Sequence, residues 1–301
     1  MAARAFVLVA RPDQREIVQH ISAQIDVAAI LVPTRRRPTD WPAPTFSNLE
    51  SLRLDIDVQA CCFLTPYAAL KRDATALLER GVHVLCGGPI SLSRKEFDDL
   101  EEKARRHHAA FVAGGRLLHS RIHQVLVGQR AQEAFGNPVY LRHVSDGGSG
   151  LLPAWWSICE LLDHACQVLD ADLKSLHLTA IRQAQKHHIT LTAALSNRSN
   201  AQLIVAPVYL PGGDDVLLLG SGGLVYGEST HNALPLFKEN GVQLISHPDQ
   251  YAEPTWIGDF LTRLEQGTTS FPDWADWARQ NKLLTAIRRA LKQERPIPIK
   301  L

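Results

Sequence analysis

Two hydrophobic rhythms divide this chain. As far as about residue 118, short continuous apolar runs alternate with stretches of helical period. Residues 6–9 form the first run. Pro12-Asp13 then opens a segment whose apolar positions Ile17, Ile21 and Ile25 recur every four residues, one face of a helix. Residues 27–32 and 58–64 are further runs, 67–80 has helical period and stops near Gly81, and 82–86 and 110–113 complete the set. Ser93 followed by Glu96 is a capping box, the start of a helix that reaches about His107. Strands apolar throughout, alternating with helices, predict a parallel sheet covered on both faces.

Beyond residue 118 the rhythm shortens. Residues 138–144, 175–182, 189–196, 202–209, 216–220 and 224–227 read as successive strands with Gly-rich or polar turns between them. Helical period is confined to 121–135, 154–169, 256–266 and 274–293, with Pro153 placed to start the second of these. Strands that follow one another without helices predict a mostly antiparallel sheet. The expected fold class is therefore α/β: a parallel-sheet domain over 1–118, then an α+β domain with a large open sheet over 119–301. The last helix is expected to be able to pack back on the first domain.

Composition narrows the function classes. Thirty-two basic against 31 acidic residues leave a formal charge of +1, which argues against a general nucleic-acid binder, since that needs a basic excess to neutralise phosphates. No apolar run approaches the roughly 18 residues of a membrane span. The N-terminal residues read as a first strand and not as a signal peptide. The five cysteines, Cys61, Cys62, Cys86, Cys159 and Cys166, are odd in number, contain no CxxC and sit in apolar surroundings. Reduced core thiols and a cytoplasmic location are the expectation.

Several segments resemble one family. Residues 79–92, with His83-Val84-Leu85-Cys86-Gly87-Gly88-Pro89, are similar to a signature strand of the glucose–fructose oxidoreductase/inositol dehydrogenase (Gfo/Idh/MocA) family, which reads G-K-H-V-L-C-E-K-P-L. Leu64-Thr65-Pro66-Tyr67 matches its T-P-N turn. Residues 113–119, containing Arg116 and His119, resemble its exit from the nucleotide domain, and Gly136-Asn137-Pro138 its entry into the second-domain sheet. The resemblance implies a Rossmann domain, a second α/β domain, NAD(P)-dependent chemistry on a sugar-like or small polar carbonyl compound, and a homodimer formed through the open sheets.

The chemistry-bearing positions depart from that pattern. A dinucleotide needs bare backbone amides at a glycine-rich turn after the first strand. Here the turn is Ala10-Arg11-Pro12-Asp13-Gln14-Arg15, with no glycine, one amide removed by Pro12, and a negative charge at Asp13. Arg11, Arg15 and the run Arg35-Arg36-Arg37 would favour a 2′-phosphate, hence NADP over NAD, and Thr65, Pro66 and Pro89 complete the cofactor contacts the resemblance implies. The run is equally a solvated basic loop. The family's catalytic lysine position is Gly88, so its proton donor is gone. Gly87-Gly88 reads as a tight turn using glycine's freedom of φ, or as room for another ligand.

In the second domain the family's D-x-G-x-H-x-x-D motif aligns with residues 156–163. Trp156 replaces the first aspartate, Glu160 the histidine, and only Asp163 is kept. Glu160 and Asp163 are the candidate acid–base groups, with a helix-surface carboxylate as the plainer reading of Glu160. His164 points about 100° away from Asp163 on the same helix. Arg116, His119, His123 and Trp156 are the candidate substrate contacts. His119 and His123, four apart, also form a weak two-ligand face, and no metal site is expected. Gly220-Ser221-Gly222-Gly223 reads as a hairpin turn. Two functions stay open: a divergent oxidoreductase using NADP atypically, and a non-catalytic pseudoenzyme that binds a small molecule or protein partner.

Overall fold

The computed structural model describes residues 5–32, 40–50, 58–64, 69–87, 92–145, 151–183, 186–206, 215–228, 233–246, 253–271, 277–293 and 297–298. In chain order the elements are β1 (Ala5–Val9), α1 (Arg15–Ser22), β2 (Val27–Leu31), β3 (Thr45–Phe46), β4 (Val58–Phe63), α2 (Leu70–Leu78), β5 (His83–Cys86), α3 (Arg94–Arg106) and β6 (Phe111–Ala113). There follow α4 (Arg121–Arg130), β7 (Pro138–Ser145), α5 (Leu151–Val168), β8 (Leu173–Gln183), β9 (Lys186–Leu195), β10 (Asn200–Val205), β11 (Asp215–Gly220) and β12 (Leu224–Glu228). The chain ends with β13 (Ala233–Lys238), β14 (Gly241–Ser246), α6 (Glu253–Glu265), α7 (Trp277–Gln293) and β15 (Ile297–Pro298).

These elements make two compact units, Met1–Arg116 with Glu253–Trp277, and Leu117–Ala252 with Ala278–Leu301. The first holds a six-stranded sheet in the order β3-β2-β1-β4-β5-β6, and every pairing in it is parallel. Such strands need a crossover between neighbours, and α1, α2 and α3 supply it. Both faces are covered, so Phe6–Ala10 are all buried, as are Cys61, Cys62 and Cys86. The capping box of α3 is present: Ser93 N–H donates to Glu96 Oε2 at 2.8 Å, and Glu96 N–H to Ser93 Oγ at 3.3 Å.

The second unit holds a nine-stranded sheet in the order β14-β13-β12-β11-β7-β10-β9-β8-β15. All its pairings are antiparallel except β7 with β10. Its inner face packs Leu141, Leu191, Leu203, Val216, Leu218, Val225, Leu234 and Leu236 against α4, α5 and α7 in one core. The outer face carries a cross-strand row, Leu219↔Leu224↔Phe237↔Val242, in register over β11 to β14. Leu219, Phe237, Val242 and Leu244 of this face are exposed.

Three expectations are corrected. The helix that joins the first unit is α6, whose Trp256, Ile257, Phe260 and Leu264 share a core with Phe6, Leu8 and Ile30. The closing helix α7 instead puts Leu283, Leu284, Ile287 and Ala290 into the core of the second unit. Helical period reveals an apolar face but not which core it fills. Strands β13 and β14 extend the sheet beyond the expected set because Pro235 masks a strand. The β12–β13 ladder pairs only Leu224 with Phe237 and Val225 with Leu236, so the residue lacking an N–H falls past it. Helix α5 begins at Leu151, which puts Pro153 third and not first, still among amides without an intrahelical acceptor.

Glycine at 220 and 222 serves close approach and not positive φ. The turn lies on the fully buried Phe135: Gly222 N–H donates to Phe135 O at 2.9 Å, and Ser221 N–H to Asn137 O at 3.0 Å. A Cβ at Gly220 would sit 2.5 Å from the Phe135 ring and 2.6 Å from its carbonyl oxygen. Gly220→Ala is therefore expected to cost about 1–3 kcal/mol in urea unfolding. Gly258→Ala, in α6 where a Cβ meets nothing within 4 Å, is expected to be neutral or to stabilise by up to about 1 kcal/mol.

Candidate functional site

In an open parallel sheet, ligands bind outside the carboxyl ends of the strands. Here the backbone ladder runs one residue past those ends. Ala10 N–H donates to Leu31 O at 3.0 Å, Leu64 N–H to Val9 O at 3.0 Å, Gly87 N–H to Phe63 O at 2.8 Å, and Gly114 N–H to Cys86 O at 2.7 Å. The chain ends are thus drawn together. A Cβ on Gly87 would lie 2.7 Å from Leu64 O. Gly87 is not in the positive-φ region, so close backbone approach, and not freedom of φ, is what requires glycine there. Thr65, Pro66, Gly88, Pro89 and the Arg35-Arg36-Arg37 run lie outside the described residues.

The β1–α1 turn is closed on itself. Pro12–Gln14 form a 3-10 turn ahead of α1. Arg11 N–H donates to Gln14 Oε1 at 2.9 Å, and Gln14 N–H donates to Arg11 O at 3.0 Å. Pro12 has no N–H. Of the amides that a glycine-rich loop would turn toward a pyrophosphate, two are thus engaged and one is missing. Arg11 is partly buried and Arg15 is exposed. The residues of this turn do not fit a dinucleotide in the pose that a glycine-rich loop provides.

In the second unit the candidate acids lie on α5. Asp163 is 6% exposed, and its Oδ2 accepts from Gln167 Nε2 at 3.3 Å and from Gln280 Nε2 of α7 at 3.5 Å. These contacts tie α5 to α7. Glu160 is half-buried on the same helix. Trp156 belongs to α5, and its side chain lies outside the described residues.

The structure divides the residues read as ligand contacts. Arg116 and His119 occupy a partly exposed 3-10 turn, Arg116–His119, and Ser120 caps α4 by accepting from His123 N–H at 3.1 Å. His119 and His123 therefore do not share one helix face. His123 is 8% exposed and turned into the core, its ring centroid 5.0 Å from that of His164. Burial, then the charges of His119 and Arg130, push its pKa down to about 4, so it offers an anion no charge near neutrality. Among the described residues no group of histidines, cysteines and carboxylates is placed to hold a metal ion.

His143, which the sequence reading passed over, completes this cluster. It is buried on β7, and its Nδ1 lies 3.3 Å from Nδ1 of His164. Its signal was in the alternation, since His143 shares the inward parity of Leu141.

Comparison with known proteins places this architecture. Residues 7–114 match the family profile described as "Oxidoreductase family, NAD-binding Rossmann fold", the Gfo/Idh/MocA family. No curated protein matches the sequence. Solved structures match the whole chain in fold. A putative dehydrogenase from Bordetella bronchiseptica is 10% identical with a TM-score of 0.77, over 98% of this chain and 100% of that one. UDP-N-acetylglucosamine 3-dehydrogenase from Acidithiobacillus ferrooxidans is 19% identical with a TM-score of 0.74, over 97% and 98%. An oxidoreductase from Agrobacterium radiobacter, in complex with NAD+, L-tartaric acid and magnesium, is 13% identical with a TM-score of 0.72, over 98% of each chain. By fold this is an α/β protein with a parallel Rossmann-like sheet and a second, mostly antiparallel sheet. Residues 7–114 of its first unit match the Gfo/Idh/MocA family model, which describes an NAD-binding Rossmann fold.

Removing the carboxylate that joins α5 to α7 strands two amide donors. Asp163→Ala is expected to lower stability by about 1–3 kcal/mol in urea unfolding, whereas Glu160→Gln is expected to change it by less than about 0.5 kcal/mol.

Proposed function

We propose that this chain is a divergent oxidoreductase-family protein that no longer holds NAD(P) in the family's ordinary pose, its dehydrogenase chemistry on a sugar-like or small polar carbonyl compound being altered or lost. The observation that carries this is the β1–α1 turn, where Gln14 and Arg11 satisfy each other's polar groups and Pro12 removes a further donor. Opening that turn for a pyrophosphate would break two short hydrogen bonds. Gly88 at the family's lysine position supports the same reading, because glycine transfers no proton. So does the engagement of Asp163 with Gln167 and Gln280.

An alternative keeps the enzyme. NADP would then be held atypically by Arg11, Arg15, Arg35 and Arg36, beside Thr65, Pro66 and Pro89, with Glu160 as the acid–base group and Arg116 and Trp156 toward the substrate. The exposed Arg15 in the first turn of α1 favours it, as a guanidinium suits a 2′-phosphate.

A non-catalytic role needs a partner surface. The row Leu219, Leu224, Phe237 and Val242, with Leu244 beside it, supports a homodimer formed through the outer face of the second sheet. A cytoplasmic site of action suits the five reduced, buried thiols. No helix among the described residues is long and apolar enough to cross a membrane.

Calorimetric titration of the full chain with NADH and NADPH tests the cofactor reading. No heat is expected at millimolar cofactor, meaning affinity weaker than about 4 kcal/mol. A dissociation constant below about 100 μM, weakened at least tenfold by Arg36→Glu or Arg15→Glu, would instead establish the NADP enzyme. For the surface, sedimentation should give a dimer for the wild type and a monomer for Phe237→Glu. A wild-type monomer at about 50 μM would rule the dimer out, since a stable interface holds at far lower concentration.

A further inference from the structure

We propose that His123, His164 and His143 form a proton-operated latch, which holds α4 on α5 and the second sheet while His123 and His164 are neutral and releases α4 when a proton enters. The three rings sit in file. The centroids of His123 and His164 are 5.0 Å apart, and those of His164 and His143 are 5.3 Å apart, the second pair edge-on. Exposure falls along the file from 8% at His123 to 0% at His164 and 1% at His143. The half-buried His119 lies just ahead of His123, close enough to act on it electrostatically, so the solvent end is at α4.

The hydrogen bond between the two Nδ1 atoms, 3.3 Å, needs one of them protonated and the other bare. His164 Nε2 has no partner, and neither has His123 Nδ1. A bare ring nitrogen without a donor costs less there than an N–H without an acceptor. Either ring can donate in this bond. A further proton on His164 or on His123 leaves an Nε2–H or an Nδ1–H facing no acceptor. Either becomes a charged donor with no acceptor in the closed structure.

Glu160, one turn before His164 on α5, and Asp163, the residue before it, are the acidic groups of its own helix, and neither is among the causes that act on its ring. From α4 come His123 and, further along, Arg130; from β7 comes His143. β9 and β10 present Ile189, Leu191, Ala193, Ala201, Leu203 and Val205. On α5 itself, Asp163 faces Gln167 and Gln280, and Arg288 of α7 acts on Cys159. Burial, and then the neighbouring histidines, accordingly hold His164 well below the usual imidazole value.

Helix α4 is the element free to yield. Of its four buried side chains, Ile122, His123, Leu126 and Gln129, two are polar, and Gln129 Oε1 is unpartnered. A short helix with so little apolar anchorage opens more easily than the strands beneath it. The sign follows from linkage. Burial keeps His123 and His164 neutral in the closed state, while the open state titrates near 6.5, the ordinary imidazole value. Opening is therefore favoured as pH falls below about 6.5, by up to tenfold per pH unit for each proton taken up.

Hydrogen exchange of the full chain from pH 7.5 to 5.0, corrected for intrinsic rates, tests the latch. Protection of residues 121–130 should fall about tenfold per pH unit below about 6.5, while β9 and β10 keep theirs. In His164→Leu that fall should become shallower, since only His123 then remains as a buried ring held below its ordinary value. If that variant does not fold, His123→Phe should make the fall shallower. Corrected protection of α4 that stays constant with pH would overturn the proposal. So would loss of α4 together with β9 and β10, which is acid unfolding of the whole unit.

Discussion

The peptide N–H groups at the carboxyl edge of the parallel sheet are committed to the protein itself, and the character of the first unit depends on that. Ala10, Leu64, Gly87 and Gly114 each carry the ladder one step beyond their strands, and Arg11 gives its amide to Gln14. In an open α/β sheet this edge is where phosphates are received, on amides left free by glycine. Here the described amides of that edge donate to side-chain and backbone oxygens of the same chain. The parallel scaffold is thus joined at this edge, among the described residues, by hydrogen bonds of the chain's own backbone.

The second unit repeats the pattern in its core. Helix α5 lies over the inner face of the sheet with its apolar positions, among them Ile158, Leu162 and Ala165, fully buried. Burying that face also carries in the polar residues beside it. Asp163 then satisfies itself against Gln167 and Gln280, and His164 against His143. Groups that could serve chemistry at a surface become structural partners once inside, because an unpaired polar group there costs about 1–3 kcal/mol. The histidines remain an exception in kind, since solution pH can change their charge.

Much of this was legible in the residues. Continuous apolar runs alternating with helical period specified a parallel sheet, because only strands buried on both faces are apolar at every position. Ser93 and Glu96 announced the start of α3 by a local reciprocal bond. The glycine-free turn was visible as composition, and the family resemblance of residues 79–92 agrees with the profile match over 7–114.

Tertiary structure alone decided the rest, for a physical reason that recurs. Local pattern states that a face is apolar but not what it will meet. So α6 and α7 have similar amphipathic sequences, yet Trp256 and Phe260 fill one core while Leu283 and Ile287 fill another. Gly87 and Gly220 read as turn residues, whereas long-range contacts with Leu64 and Phe135 are what exclude a side chain. His123, His143 and His164 are scattered over 41 positions on a helix, a strand and a second helix. Only the packing of α4 and α5 on β7 makes them neighbours, and burial above all holds His123 and His164 neutral.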